Sequence, residues 1–157
     1  MSKIIKYTVI RDQQEKENAW EFEASRHCLG TVEQHLKTAD YTLEGFESIF
    51  CVEKKSSTGE ISKNVYDPAF ERELERMEAF AYPYVVCEFT MDDVCRFPLD
   101  SGIPKYIWPR LCVTSHGLLK RILELSMQYK AKFIFAGNSG HQVARSLFKR
   151  VIELEQV

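Results

Sequence analysis

Two short segments with almost unbroken apolar character most constrain the fold of this chain. They are YPYVVCEFT, residues 82–90, and AKFIFAG, residues 131–137. A strand that is apolar on both of its sides has to be covered on both faces of its sheet, usually by helices. An apolar stripe at helical spacing lies between them: Leu118, Ile122, Leu125 and Tyr129. Strand patterns that alternate with helix patterns predict an α/β domain with a covered central sheet.

Further elements are predicted on both sides of these segments. IIKYTVIRD, residues 4–12, is rich in β-branched and aromatic residues and predicts a first strand. GTVEQHLKT, residues 30–38, is interpreted as a short helix. Asp67 followed by Pro68 is typical of a helix N-terminus, and an apolar stripe follows it. The last helix is predicted to pack through four residues: Val143, Leu147, Val151 and Leu154.

A β-hairpin is predicted for ADYTLEGFESIFCVEKK, residues 39–55, in which two alternating patterns flank a turn that contains glycine. If the turn is centred in the middle of GFES, Leu43 lies opposite Phe50 and Tyr41 lies opposite Val52. This register gives the hairpin one consistently apolar face, as a strand pair that packs on a core requires.

The same register brings three charged side chains together at the open end of the hairpin. Asp40 lies directly opposite Glu53, and strand alternation puts Lys55 on their face. Like charges in directly opposed positions are destabilising, so a divalent cation between the two carboxylates would offset their repulsion. In the alternative interpretation, Glu53 and Lys55 are solvent-facing charges at a strand end and Asp40 belongs to a turn.

The composition is that of one globular domain. The 157 residues are 45% hydrophobic and 28% charged, and we expect a single domain over residues 1–157. No apolar run approaches the roughly 20 residues that span a bilayer, and the N-terminus lacks a signal-peptide core. The five cysteines are irregularly spaced and are expected to be free thiols in a reducing compartment. These features predict an intracellular protein without a membrane segment.

The charge is unevenly distributed along the chain, although the net charge is only −2. Residues 105–150 contain nine Lys or Arg and one acidic residue, Glu124, so this stretch carries +8. Such a balance fits either solvated helix faces or a surface that contacts phosphates. Within it, Lys105, Trp108 and Arg110 interleave basic and aromatic groups, as phosphate contact and base stacking in DNA binding require. Alternatively, Trp108 covers the core while the cations face water.

The hairpin and a segment upstream of it together resemble a known family. ADYTLEGFESIFCVEKKSS, residues 39–57, is similar to the G-D-Y and E-R-K motifs of the XPF-type nuclease domain, a branch of the PD-(D/E)xK superfamily. VIRDQQEKE, residues 9–17, resembles that family's segment in which a hydrophobic residue precedes Asp-x-Arg-Glu. The pieces occur in order, and the resemblance covers most of the chain. It implies a restriction-endonuclease-like core, with a mixed central sheet that contains a β-hairpin and helices that flank both faces.

The resemblance also implies roles for five acidic and basic residues. By position, Asp40 and Glu53 match the acids of the two hairpin motifs, Lys55 matches the lysine, and Asp12 and Glu15 match the upstream acids. The family implies that Asp12, Asp40 and Glu53 bind Mg²⁺ or Mn²⁺, and that Glu15 either binds the metal or orients groups that do. Asp40, Glu53 and Lys55 are then the catalytic residues, with Lys55 organising the attacking water or the developing phosphate charge.

The chain departs from the family's motifs at four positions. Ala39 stands where the family has glycine, Lys54 and Gln14 where it has arginine, and Gly59 where it has an acid, with Glu60 next to it. Larger relatives carry paired helix-hairpin-helix modules that grip branched DNA. We expect no such module in this sequence, and therefore a stand-alone nuclease domain.

The function that the resemblance implies is that of a metal-dependent DNA endonuclease. Its substrate would be branched, flap or single-/double-strand junction DNA in repair or recombination, and its form a homodimer that uses the last helices. It would act in the cytoplasm of a bacterium or of a phage-infected host, or in a eukaryotic nucleus. Two alternatives stay open: a non-catalytic DNA-binding or partner subunit, and a restriction-like nuclease that acts on linear DNA.

Three further residues are predicted to contact DNA. Lys54 points away from the acid pair in the hairpin pattern. Ser139 and His141 belong to the turn AGNSGH, where Ser139 is expected to cap the last helix and both side chains could meet a phosphate. The acidic run ERELERME, residues 71–78, is instead interpreted as exposed ion pairs on a helix.

Overall fold

A six-stranded mixed sheet forms the centre of the protein, in a computed structural model that describes residues 5–156. Its strands are Tyr7–Asp12 (β1), Cys28–Gln34 (β2), Tyr41–Leu43 (β3), Phe50–Lys55 (β4), Tyr82–Cys87 (β5) and Lys132–Phe135 (β6). They lie in the spatial order β2-β1-β3-β4-β5-β6. β3 is antiparallel to β1 and β4, whereas β2 runs parallel to β1, and β4, β5 and β6 run parallel to one another.

Five α-helices are found among the described residues. They are Thr58–Asn64 (α1), Pro68–Met77 (α2), Met91–Cys95 (α3), Ser115–Gln128 (α4) and Gly140–Glu155 (α5). Two short 3-10 helices, Lys105–Arg110 and Gly137–Ser139, lie in the connections before α4 and α5. Within residues 5–156, no helix has the length and apolar character that crossing a membrane requires.

Both faces of the sheet are covered at its central strands, as predicted for β5, whereas β6, also predicted to be buried, is half-buried at the edge. Successive residues of a strand point to opposite faces, so Val85 contributes to the core beneath α1, α2 and α4, whereas Val86 contributes to the core beneath α5. Cys51 and Val52 of β4 divide between the two cores in the same way. The predicted α/β architecture, a mixed sheet with helices on both faces, is therefore confirmed.

Local sequence signals begin the two helices that follow the hairpin. A side-chain oxygen of Asp67 accepts the Ala69 N–H at 2.9 Å, and Pro68 occupies the first helical position of α2, as predicted. Ser57 caps α1, since its hydroxyl oxygen accepts the Glu60 N–H at 3.0 Å. The seven-residue helix α1 has no long periodic pattern, and the sequence did not predict it.

The interpretation of residues 30–38 as a helix is wrong, because Cys28–Gln34 form the edge strand β2. Thr31 and Val32 are β-branched and pair with β1 in parallel. Hydrogen bonding to β1 outweighs the weak helical pattern of this short segment. β1 itself forms as predicted up to its last residue, while Ile4, at the start of the predicted strand, lies outside the described residues.

The face through which α5 packs agrees in part with the predicted one, since Val151 is buried and Val143 and Leu147 are partly buried against the same core. Its buried residues are Gly140, Ala144, Phe148, Val151 and Ile152. Leu154, which was expected to be buried, is 58% exposed. A Cβ atom at Gly140 would lie only 2.9 Å from the Glu88 side chain, so the missing side chain lets α5 approach β5 closely along this face.

The cysteines are free thiols, as expected. Cys28, Cys51 and Cys87 are buried, and Cys95 and Cys112 are exposed. Burial raises the pKa of the Cys51 and Cys87 thiols, so both stay protonated near neutral pH and serve as small apolar core residues.

The hairpin of β3 and β4 has the predicted register, with Tyr41 opposite Val52. Asp40 extends the pairing, since its N–H donates to the Val52 carbonyl at 3.0 Å. The Asp12 N–H donates to the Asp40 carbonyl at 2.7 Å. The end of β1, the start of β3 and the end of β4 therefore meet at one end of the sheet, where the predicted acids lie.

Candidate active site

Two carboxyl groups face each other at this end of the sheet. Asp40 precedes β3 and Glu53 lies in β4, and their side chains are within hydrogen-bonding reach of each other. The Lys54 N–H donates to Asp40 Oδ2 at 2.8 Å, which fixes this carboxyl group from the backbone of β4. The register of the hairpin thus brings the predicted acid pair together.

Lys55 lies beside the acid pair and is largely enclosed. Its Nζ atom is 3.6 Å from Glu53 Oε1 and 3.9 Å from Glu60 Oε1, and its side chain is 8% exposed. The same atom lies 4.7 Å from the centre of the Phe70 ring. Two carboxylates and a ring hold the ammonium group in place. The alternative in which Glu53 and Lys55 are solvent-facing charges is therefore excluded.

Burial dominates the electrostatics of the pair. It raises the pKa of Asp40, although the hydrogen bond from the Lys54 N–H and the charge of Lys55 lower it. Burial and the charge of Asp40 raise the pKa of Glu53 well above its usual range, against the effect of Lys55. The nearby ammonium group thus offsets only part of the cost of placing two opposed carboxylates away from water.

A polar cavity of about 320 Å³ opens onto the acid pair. Its acidic lining residues come from several elements: Asp12, Asp40, Glu53, Asp67 and Glu73. Lys37 and Lys55 are the basic residues of the lining. At about 30 Å³ for each water molecule, the volume is enough for a hydrated ion or a phosphate group.

The acid pair fits a hard divalent cation, but the three predicted metal ligands do not form one group. Mg²⁺ commonly takes one or two carboxylates and completes its coordination with water and phosphate oxygens, which Asp40 and Glu53 would allow. Asp12 lines the same cavity, but its Oδ1 atom accepts the Leu36 N–H at 2.8 Å. Within residues 5–156, no group of three or more His, Cys, Asp or Glu side chains is arranged to hold a metal ion.

Glu15 lies near the pair on the connection that follows β1. Burial and the charge of Asp40 raise its pKa to about 7, while Lys54 and Lys55 act in the opposite direction. Its Oε2 atom is buried without a hydrogen-bond partner. Glu15 is therefore in the predicted neighbourhood, as an electrostatic neighbour of the acid pair.

The prediction that Lys54 contacts DNA does not agree with its position. Its side chain is 1% exposed, and Nζ lies 3.4 Å from Glu88 Oε1. The ammonium group donates to the Asn18 carbonyl at 2.5 Å and to Ser56 Oγ at 3.1 Å, and it lies 5.5 Å from the centre of the Trp20 ring. Lys54 thus fastens the connection between β1 and β2 to the sheet, and a DNA phosphate cannot reach it.

The basic and aromatic residues of the 3-10 helix before α4 lie away from the acid cavity. Lys105 and Arg110 are exposed, and Tyr106 is 76% exposed. Trp108 is only half-buried, and its Nε1–H donates to the Ile103 carbonyl at 2.8 Å. The cations are available to a binding partner, while the indole is held by the backbone.

Ser139 and His141 also lie outside the acid cavity. Ser139 is exposed and makes no capping hydrogen bond to α5, so the predicted cap is not formed. The ring of His141 stacks on Phe22 with 4.4 Å between centres, and its Nε2 is 2.7 Å from the Glu21 carbonyl. These contacts tie α5 to the segment before β2.

Glu73, which sequence reasoning interpreted as part of an exposed acidic run, reaches the site from α2. Its Oε1 atom accepts the Ala39 N–H. Ala39 has a φ of 65°, in the left-handed region, and directly precedes Asp40, so this hydrogen bond holds the turn that positions the catalytic candidate. The ion pair of Glu73 with Arg76 suggested an exterior position. In the sequence, only its position next to Leu74 of the buried apolar stripe of α2 indicated that its side chain lies near the core.

Gly59 and Glu60 lie at the start of α1, close to Lys55. A Cβ atom at Gly59 would lie 2.4 Å from the Ser101 carbonyl oxygen, so no side chain fits there. Glu60 instead supplies the carboxylate near Lys55, and its other oxygen accepts the Ser56 N–H at 2.8 Å. Lys55 therefore has an acidic neighbour from α1 as well as Glu53 from its own strand.

The mixed sheet, its hairpin and the helices on both faces define a restriction-endonuclease-like α/β fold. Two solved structures of XPF from Aeropyrum pernix share it, one of them a complex with DNA, each with a TM-score of 0.61 and 15% sequence identity. They match 92% and 94% of this chain, which spans 61% and 66% of theirs. The predicted XPF-like fold is therefore confirmed. No protein-family model and no curated protein matches the sequence.

Proposed function

We propose that this chain is a metal-dependent DNA endonuclease that hydrolyses phosphodiester bonds in branched, flap or junction DNA. The observation that carries the proposal is the buried pair of Asp40 and Glu53 with the Lys55 ammonium 3.6 Å from Glu53. Burying two opposed carboxyl groups destabilises the folded protein, and such pairs are typical of functional sites. The fold is shared with XPF, which was solved in complex with DNA.

Asp40 and Glu53 would hold Mg²⁺ or Mn²⁺ in the acid cavity that they line. A divalent metal supplies an activated water and polarises the phosphate. The Lys54 N–H fixes the orientation of Asp40, and the pairing of β3 with β4 sets the position of Glu53 relative to it. The chain therefore provides two rigidly placed oxygen donors at one point of the sheet.

Lys55 would donate a hydrogen bond to the attacking water or to a non-bridging phosphate oxygen. Its ammonium group is held between Glu53 and Glu60 and above the Phe70 ring, so it does not need to be ordered during the reaction. A fixed cation stabilises the charge that develops on the phosphate in the transition state. Glu15 would not bind the metal directly, and its charge would influence the protonation of Asp40.

DNA would be held by exposed cations beyond the acid cavity. Lys105 and Arg110 are exposed on one connection, and Tyr106 beside them offers an exposed ring for stacking. Binding through phosphates would weaken steeply as the salt concentration rises. We propose Lys105 and Arg110, rather than the enclosed Lys54, as the phosphate contacts.

We also propose a homodimer that forms through α4 and α5. Leu123 and Met127 of α4 are 46% and 86% exposed, and Leu154 of α5 is 58% exposed. The two helices pack on opposite faces of the sheet, and each exposes apolar side chains that a second copy could cover. Light scattering across a range of protein concentrations would detect the dimer, and a mass of one chain at all concentrations would exclude it.

A cleavage panel tests the proposed function. Wild-type protein and the Asp40→Asn variant are incubated with duplex, flap, fork and four-way DNA in Mg²⁺, Mn²⁺ or EDTA. We expect cleavage of a branched substrate by the wild type in either metal and none in EDTA or by the variant. Cleavage of linear duplex alone would favour the restriction-like alternative, and binding without any cleavage would favour the non-catalytic one.

A further inference from the structure

A second cavity, of about 670 Å³, lies beside the candidate active site. We call it the side groove. One wall comes from the end of β2 and the connection after it, residues 34–38, and the other from the end of α2 and the residues Ala79 and Phe80 that follow it. Cys51 of β4 lies at its floor, while the neighbouring Phe50, which also lines it, has its side chain in the core on the opposite face of the sheet. The side groove is thus built on the same strand that carries Glu53.

The side groove borders the acid cavity. Leu36 and Lys37 line both cavities, so they form the boundary that a ligand would cross. Lys37 is exposed and forms no ion pair with any described residue. Its ammonium group is therefore free to contact a phosphate that lies between the two cavities.

The chemistry of the side groove suits a neutral, partly apolar ligand. Its charged lining residues balance, with Lys37 and Arg76 against Glu47 and Glu75. Arg76 is already paired with Glu73. A groove of balanced charge does not favour a polyanion, so a phosphate backbone would contact its edge and not its floor.

Hydrogen-bonding groups stand around the apolar floor of the side groove. Gln34, Thr38 and Ser48 line it together with Phe80 and Leu36. Ligand sites typically measure about 300 to 1,000 Å³ and combine apolar walls with a few polar groups that fix orientation. A nucleobase has the matching character, because its faces are apolar and its edges carry donors and acceptors.

We propose that the side groove binds one unpaired nucleobase of the DNA strand that is cut, with Lys37 on the phosphate between this base and the acid cavity. The proposal rests on the proposed endonuclease function and specifies its substrate. A base inside a duplex is stacked and paired, and taking it out costs free energy. The chain would therefore prefer DNA with an unpaired nucleotide next to the cleavage site.

The test fills the side groove without touching the acid pair. Ala79 is exposed and follows α2, so Ala79→Trp places an indole in the side groove without displacing a core residue. Ala24→Trp is the matched control, because Ala24 is exposed and lines neither cavity. Binding is measured in EDTA, where no cleavage occurs, with flap DNA that carries fluorescent 2-aminopurine as the unpaired nucleotide nearest the duplex.

We expect the fluorescence of the base to change on binding to the wild type and to the Ala24→Trp variant. Ala79→Trp should bind flap DNA about tenfold more weakly, as the loss of one base contact implies, and bind full duplex unchanged. An abasic site at the unpaired position should weaken wild-type binding by a similar factor. Melting temperatures close to that of the wild type establish that both variants fold.

Two results would overturn the proposal. One is flap binding by Ala79→Trp within twofold of the wild type, and the other is equal wild-type affinity for abasic and normal flap DNA. Either would point to a protein segment as the occupant of the side groove. Base-dependent binding with no cleavage in Mg²⁺ or Mn²⁺ would instead support the side groove and contradict the endonuclease function, so the two failures are distinct.

Discussion

Replacing Glu15 by glutamine should stabilise the metal-free protein at pH 8 and have little effect near pH 4.5. Burial and the charge of Asp40 raise the pKa of Glu15 from 4.5 to about 7 in the folded protein. Between these two values the folded state binds more protons than the unfolded state, so stability falls as the pH rises. Well above pH 7 Glu15 is ionised in the folded protein, and the full free-energy cost of burying its charge lowers the stability. Glutamine carries no charge and removes this cost.

The size of the effect follows from the pKa shift. At 1.36 kcal/mol for each pKa unit, a rise from 4.5 to about 7 corresponds to about 3 kcal/mol of unfolding free energy, as an upper limit. With a urea dependence of about 2 kcal/mol per molar, the unfolding midpoint at pH 8 should rise by about 1 M or more. The assay is urea unfolding in EDTA at pH 4.5 and pH 8.

A neighbouring residue gives the control for Glu15→Gln. Glu17 lies on the same connection and is exposed, so Glu17→Gln should change the stability by less than about 0.5 kcal/mol at both pH values. Equal stability of the two variants at pH 8, or a less stable Glu15→Gln protein, would show that the ionised Glu15 carboxylate does not destabilise the folded protein. The charges of the acidic residues at this end of the sheet would then be stabilised by the protein itself, without a bound cation.

Three further substitutions test separate parts of the site. Lys55→Ala should lower the single-turnover rate of DNA cleavage on the order of 10²- to 10³-fold while DNA affinity in a gel-shift assay is kept, and near-normal cleavage would remove Lys55 from the mechanism. Ala39→Gly should raise the unfolding free energy by about 0.5 to 1 kcal/mol in urea, because Ala39 has a φ of 65°; a destabilised variant would contradict this. Lys54→Met should cost about 2 kcal/mol or more, because it leaves the Asn18 carbonyl and Glu88 without their buried partner, and unchanged stability would place Lys54 at the surface.

The sequence was sufficient to predict the acid pair because the information is local. Side-chain alternation and a short turn set the register of a hairpin, and the register alone puts Asp40 opposite Glu53. The apolar segment of β5 likewise predicted a strand that is covered on both faces, whereas β6, which was also predicted to be buried, is a half-buried edge strand. Each of these inferences depends on a few neighbouring residues and on a period that the sequence displays directly.

Other features depend on contacts that are distant in sequence. β2 pairs with β1 at the edge of the sheet, and its short pattern alone resembles a helix turn. Glu73 reaches Ala39 across 34 positions, although its spacing from Arg76 suggests an exposed ion pair. Lysine is usually a surface residue, and Lys54 is buried only because the connection after β1 folds over it.

The central claim is that the Asp40 and Glu53 pair supports metal-dependent cleavage of DNA. The most direct test compares the single-turnover cleavage of labelled flap DNA in Mg²⁺ by wild-type protein and Glu53→Gln, purified in the same way. We expect the wild type to give a defined product that EDTA abolishes, and the variant to cleave on the order of 10²-fold more slowly or slower still. Equal cleavage by both proteins, or none by the wild type in Mg²⁺ or Mn²⁺, would contradict the central claim.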